Sequence, residues 1–340
     1  MAETVLVTGG TGFVAGWQIV ELLRRGYRVR TTVRDLAKAD RVRAAVATQV
    51  DPDGRLEFAR ADLNADAGWA EAMAGRDYVL HVASPLGNAG DGSDETLIPP
   101  ARDGTLRVLK AAVAAGVKRV VMTSSTAACA SALQGPDSNN DETVWTDVND
   151  PDSTAYRRSK IVAERAAWDF MAEHGGTTEF TTVLPSAIFG PVLSRDTLGS
   201  VMVVGRIFSG KMPGVPKVGF SVVDVRDLAV AQALAMTSPK AAGERFIACG
   251  EYMWMAEMAK ALRDGLPTPY AERAPKRVLP NFLVRLAARR DRALSGIVPT
   301  LGRRHAFNSG KAQRVLGWKP RPGRETIVDT ARRLIEVGAA

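Results

Sequence analysis

The chain opens on an apolar run, "TVLVT" (residues 4–8), that passes without a spacer into "GGTGFVAG" (9–16), and this juncture constrains the fold more than any other stretch. A strand that empties directly into glycines, and these into an amphipathic segment, requires a tight turn whose backbone can approach an anion without a Cβ in the way. Gly9 and Gly12 stand at the strand exit and the helix entrance, and Ala15, followed by Gly16, takes the third small position. Glycines alone are a weak signal. Set between a strand and a helix, in the first unit of an alternating chain, they predict the phosphate loop of a dinucleotide site.

The alternation continues. Strands rich in Val, Leu and Thr are expected at 27–33, 56–60, 77–84, 119–125 and 180–185. Between them "FVAGWQIVELLRRG", "AKADRVRAAVATQV", "AGWAEAMAG", "DGTLRVLKAAVAAG" and "AYRRSKIVAERAAWDFMAEHG" repeat apolar residues near a period of 3.6. Gly26, Gly75, Gly116 and Gly175 fall where these helices should end. Parallel neighbours need long crossovers, so this rhythm means βαβ units. Past Pro185 it breaks into a Gly/Pro-punctuated stretch, resumes in "FSVVDVRDLAVAQALAM" and "ERFIACG", and ends in a mostly helical, basic tail. The expected fold is α/β: a Rossmann-type doubly wound parallel sheet from residues 1–186 with 218–250, and a smaller, mostly helical C-terminal substrate domain from 187–217 with 251–340.

Several function classes drop out on composition. At 340 residues and 46% hydrophobic content the chain can bury a large core without staples. Cys129 and Cys249 cannot form a disulfide framework and read as buried thiols, and His81, His174 and His305 are too scattered to suggest a metal. With no N-terminal leader pattern and no long apolar run, a cytoplasmic protein without membrane contact is expected. The formal charge of +8 is concentrated in residues 271–340, which hold 16 Lys/Arg against 5 Asp/Glu. "VRLAARRDRAL" (284–294) spaces its arginines like the wet face of an amphipathic helix, with no aromatics between them, so no nucleic-acid partner is expected.

Cofactor choice should be written at the end of the second strand, where an acidic residue would accept hydrogen bonds from the adenosine ribose. The residues there are Thr32-Val33-Arg34. A missing carboxylate beside a guanidinium suited to a 2′-phosphate favours NADP(H) over NAD(H), and Arg41 adds charge nearby. "TAYRRSK" (154–160) then places Tyr156 and Lys160 one helical turn apart, on one face, with Arg157 and Arg158 assigned to the outward face. The spacing is common by chance. Its meaning comes from "MTSSTA" (122–127), which ends the fifth strand, because ligands of such folds bind outside the carboxyl ends of the strands.

These motifs resemble the extended short-chain dehydrogenase/reductase family, in its dihydroflavonol-reductase-like branch of aldehyde and ketone reductases. "VTGGTGF", "TVRD", "ADL", "HVASP", "TSS", "DETVWTD", "YRRSK", "LPSAIFGP", "VDVRDLA" and "KAQRVLGWKPR" follow the family's order along nearly the whole chain. The resemblance implies Tyr156 as the general acid toward a carbonyl oxygen, Lys160 lowering its pKa and binding the nicotinamide ribose, and Ser125 polarising the carbonyl. Strand alternation turns Ser124 away. It further implies Thr11, Phe13 and Val14 at the pyrophosphate, Asp62 and Leu63 at the adenine, and Val82, Ala83 and Ser84 along the cofactor ribose. Thr123, Pro185, Ile188 and Ser200 complete the expected cofactor contacts. Plant dihydroflavonol reductases carry an asparagine where this chain has Ala130, which implies a less polar carbonyl substrate; Leu86, Leu133, Phe189, Val203 and Phe208 are apolar candidates for its pocket. The family suggests a monomer or homodimer. A nucleotide-sugar epimerase or dehydratase, and a non-catalytic NADP-sensing regulator, remain alternatives.

If Arg34 reads the 2′-phosphate, Arg34→Asp should raise KM for NADPH by roughly ten- to a hundredfold, the worth of a charge-assisted hydrogen bond, and barely move KM for NADH; equal effects in steady-state kinetics would exclude the assignment.

Overall fold

A computed structural model describes residues 2–85, 93–290 and 292–339. Its strands are β1 (Thr4–Val7), β2 (Arg28–Val33), β3 (Leu56–Arg60), β4 (Tyr78–His81), β5 (Arg119–Thr123), β6 (Ser138–Asn140), β7 (Glu179–Pro185), β8 (Ala187–Phe189), β9 (Gly219–Asp224), β10 (Arg245–Ala248), β11 (Tyr252–Trp254) and β12 (His305–Phe307). Seven of them form one sheet in the order β10-β7-β5-β4-β1-β2-β3, and every pairing in it is parallel. The architecture is the α/β, doubly wound arrangement expected from the alternation. Strand order reverses between β1 and β4, so the crevice at their carboxyl ends is the topological switch point.

Helices cover both faces. Phe13–Arg24 and Val225–Thr237 pack on one side, with Val20, Leu23, Leu228 and Ala231 in a core that includes Val5 and Val7 of β1. Asp94–Ala114 and Ala155–His174 pack on the other, where Val108, Leu109, Ala163 and Ala167 meet Leu6, Val79 and Val120. Alternate residues of one buried strand thus feed two cores. The helix Asp94–Ala114 begins well upstream of its apolar run, behind a capping box formed by Ser93 and Thr96, and it carries Pro99 and Pro100. The periodic pattern missed this beginning because prolines read as helix breakers.

The boundary of the second unit moves in two places. Residues 219–224, expected in the nucleotide-binding unit, form β9, which pairs with β8 and β11 in a separate three-stranded sheet. Alternation explains its position: Val222 faces the second core, while Val223 faces the first. In the other direction, Ala312, Leu316 and Trp318 of the expected C-terminal domain bury against the first core, and Trp318 Nε1 donates to Asp227 O at 2.8 Å. A third small sheet pairs β6 with β12, which ties the tail to the segment that follows β5. The wet-face reading of residues 284–294 also needs correction. Arg285, Arg289 and Arg290 are exposed, but the helix Asn281–Ala288 exposes Phe282, Leu283 and Leu286 as well and buries only Val284.

Trp318 is among the largest fully buried side chains, at 1% exposure. Trp318→Ala should therefore destabilise the fold by about 3–5 kcal/mol, read as a lowered urea midpoint; a loss under 1 kcal/mol would show that the tail does not belong to the first core.

Candidate active site

The glycine loop is held by the two strands it lies beside. Gly9 N–H donates to Thr32 Oγ1 and Gly10 N–H to Thr32 O, both at 2.9 Å, and Gly12 N–H closes a turn on Gly9 O at 2.9 Å. Gly9 has φ +77°, and a Cβ there would lie 2.9 Å from Ala83 Cβ; at Gly10 it would lie 2.4 Å from Thr31 Oγ1. Those approaches are possible only without side chains. Gly12 is the N-cap of the helix Phe13–Arg24 and has no side-chain cap, which leaves the helix's first N–H groups for an anion. The residues present fit a dinucleotide's pyrophosphate.

A cavity of about 200 Å³ opens over this loop. Gly10, Thr11, Gly12 and Phe13 form one wall, Lys38 and Arg41 another, and Leu193, Ser194, Asp196 and Thr197 a third. Arg41 is ion-paired with Asp196 across it. Arg34 is exposed at the end of β2 and does not line the cavity. Lys38 is the residue the sequence reading missed. Its signal was its position four residues after Arg34; Ser194 and Asp196 had none, because only folding brings their loop to the glycines.

At the end of β5 the chain places two serines oppositely, as alternation requires. Ser124 is buried and donates to Glu164 Oε2 at 2.6 Å. Ser125 Oγ accepts from Ala127 N–H at 3.1 Å and lies close enough to the Tyr156 hydroxyl to pull its pKa down. Tyr156 and Lys160 sit in the first turns of the helix Ala155–His174, whose N-cap Thr154 accepts from Arg157 N–H, and Lys160 Nζ lies 5.8 Å from the centre of the Tyr156 ring. Burial raises the phenol above its usual 10, against the pull of the Ser125 hydrogen bond. Lys160, expected to lower the phenol, does not figure among the influences on it, which are burial and Ser125. Burial also pulls Lys160 down to about 8, with Glu164 opposing.

The set connects to the glycine loop through β4. His81, pulled to about 3 by burial and by the charge of Lys160, is a neutral imidazole 3.0 Å from Thr8 Oγ1 and 3.3 Å from Thr105 Oγ1. Thr8 Oγ1 also accepts from Val82 N–H and Ala83 N–H, at 3.0 and 2.9 Å. Val82 and Ala83 are therefore fixed at the switch point beside Gly9, with Ser84 following them in the chain. Thr8 and His81 were not singled out as site residues, since a buried threonine and an isolated histidine carry no sequence signal.

The remaining expected residues divide. Val14 and Ile188 are partly buried against the first core, Pro185 ends β7, and exposed Ser200 donates to Ile188 O. Asp62 accepts from Asn64 N–H in a turn, Leu63 packs beside Gly104, and Thr123 Oγ1 accepts from Gln232. Ala130, Phe189 and Phe208 are sealed at 1–2% exposure, the two phenylalanines inside the second core, so these pocket candidates are corrected to packing residues. Leu133 is buried too, with its carbonyl held by Arg303, and Val203 packs on the second core. Leu86 lies outside the described residues. Arg158 faces outward to Asp94, but Arg157 does not: its Nε and Nη2 are buried without a hydrogen-bond partner among the described residues. The β6–β12 pairing brings His305 near it, and burial with the charges of Arg303 and Arg157 pulls that imidazole to about 4. No cluster of three or more His, Cys, Asp or Glu that could hold a metal occurs among the described residues.

Comparison with known proteins places these features. A family profile described as the NAD dependent epimerase/dehydratase family matches residues 5–249. Cinnamoyl-CoA reductase 1 of Oryza sativa subsp. japonica is 37% identical over 268 residues, covering 78% of this chain and 76% of the relative. The ketoreductase azaE of Aspergillus niger is 30% identical and covers 99% and 98%. The crystal structure of yeast methylglyoxal/isovaleraldehyde reductase Gre2 complexed with NADPH superposes with a TM-score of 0.82 at 26% identity, covering 99% of this chain and 100% of that one.

Thr8→Val keeps the shape of the side chain and removes its hydrogen bonds to His81, Val82 and Ala83. The variant should lose about 2–4 kcal/mol, the cost of leaving buried donors unpaired, measured by urea denaturation; wild-type stability would show that Thr8 does not hold the switch point.

Proposed function

Because the chain belongs to the NAD dependent epimerase/dehydratase family, we propose that it is an NADPH-dependent oxidoreductase that reduces a small or medium aldehyde or ketone to an alcohol. The observation that carries this reading is the meeting of Ser125, Tyr156 and Lys160 at the sheet edge that also bears the glycine loop. The reductase names of the rice, Aspergillus and yeast proteins support it. NADPH, when bound, supplies the hydride. Gly9 to Phe13 would hold its pyrophosphate, and Arg34, Lys38 and Arg41 would counter its 2′-phosphate. Thr11, Val14, Asp62, Leu63, Val82, Ala83, Ser84, Thr123, Pro185, Ile188 and Ser200 remain the expected lesser contacts.

The chain's own residues manage the proton. Burial keeps the proton on the Tyr156 phenol at neutral pH, so the acid form needed for reduction is the resting form. Its delivery to the substrate oxygen leaves a phenolate, which the nearby Lys160 ammonium offsets. Ser125 would donate its one O–H to that substrate oxygen. Lys160 titrates at about 8, below its ordinary value, so the ammonium is present below that pH and lost as pH rises through it.

Loss of NADPH absorbance with a panel of aldehydes, ketones and β-keto esters tests the reading. Tyr156→Phe should lower kcat by about 10²–10⁴-fold while NADPH binding, followed by fluorescence, stays near wild type; an active Phe variant would refute the mechanism.

A further inference from the structure

The helix that carries Tyr156 and Lys160 carries Glu164 one turn further on, at 0% exposure. A carboxylate is costly to bury, and well-packed apolar residues would often hold such a place at no loss of stability. This one is fully engaged. It accepts from Ser124 Oγ at 2.6 Å, Thr182 Oγ1 at 2.9 Å, Arg245 Nε at 3.0 Å and Nη2 at 3.4 Å, and Trp168 Nε1 at 3.4 Å. Arg245 in turn donates to the carbonyls of Ala128, Glu142 and Val144 and lies 3.7 Å from the centre of the Trp145 ring. A single carboxylate thereby joins the end of β5, the middle of β7, the start of β10 and the Tyr156 helix.

Two of these links lead to the proposed chemistry. Ser124 is the residue before Ser125, so its bond to Glu164 fixes the strand end from which Ser125 meets the Tyr156 hydroxyl. Lys160 is one turn from Glu164 on the same helix face, where a negative charge acts on a buried ammonium. We propose that Glu164 is a positioning residue of the site, holding the strand end that presents Ser125 and keeping Lys160 charged in a buried setting. The inference rests on the reductase reading above.

The charges around the pair point one way. Lys160 faces Tyr156 and Glu164 of its own helix and the neutral His81 of β4. Glu164 faces Arg245 of β10, the hydroxyls of Ser124 and Thr182, Trp168, and the Cys129 thiol, which burial and acids including Glu142 keep protonated. Burial pulls Lys160 down to about 8 while Glu164 pushes it up, so removing the carboxylate moves the loss of the ammonium to lower pH.

The test is the pH profile of kcat for reduction of an aldehyde from the panel, in wild type and Glu164→Gln. The alkaline limb of Glu164→Gln should lie about one pH unit lower, and kcat at neutral pH should fall roughly tenfold. Glu164→Gln/Arg245→Met removes both buried charges together, which keeps the fold where the single variant strands an arginine, and its limb should be displaced in the same direction. A merely structural role would scale kcat equally at every pH; a limb at the wild-type position in either folded variant overturns the proposal. Wild-type protein that turns over no carbonyl compound with NADPH would refute the reductase reading instead.

Discussion

The hydroxyl of Thr8 joins the two halves of the parallel sheet at the point where their order reverses. A parallel sheet leaves the backbone groups at its carboxyl edge without ladder partners at each strand end, and here one side chain takes up two of them, Val82 N–H and Ala83 N–H. That draws the end of β4 so near the end of β1 that Gly9 cannot carry a Cβ. The glycine is therefore required twice, for its positive φ and for the approach of Ala83. The geometry of the loop above follows from this closure.

From Thr8 a line of polar groups runs through the middle of the molecule. It passes His81 and Thr105, comes within the field of Lys160, and reaches Glu164 one turn further along the Tyr156 helix and its partner Arg245. Burial keeps His81 neutral, brings Lys160 toward neutrality and holds the proton on Tyr156. The low-dielectric interior strengthens the paired interactions and makes unpaired ones costly, which is why a buried network of this kind must be nearly complete.

The second core is built differently. It has a short sheet of β8, β9 and β11 with the helix Met202–Ile207 and helices from the last third of the chain, and it meets the first core along β9, whose two faces belong to different cores. Trp318 returns the tail to the nucleotide-binding unit. The chain thus crosses between the units several times, and neither is continuous in sequence.

Local physics made much of this legible in the residues themselves. The strands of the large sheet, the glycine loop, the helix of Tyr156 and Lys160 and the opposed faces of Ser124 and Ser125 rest on periodicity, on turn chemistry and on the two-residue repeat of a strand. The match of residues 5–249 to the family agrees with the resemblance those motifs carry. What the residues did not disclose depends on distant partners. β9 reads as one more strand of the large sheet because nothing local says which sheet will take it, and Arg157 reads as a surface arginine because nothing in its own helix says that its guanidinium will lose water. Phe189 and Phe208 read equally well as pocket or core, and Asp196, Thr8 and Glu164 carry no local signal. The sequence by itself determined the elements and the chemical groups at their ends, since those interactions span a few residues. The tertiary structure alone decided which groups lose water and which charges face one another, because burial and Coulomb interaction depend on distances that only the packed chain sets.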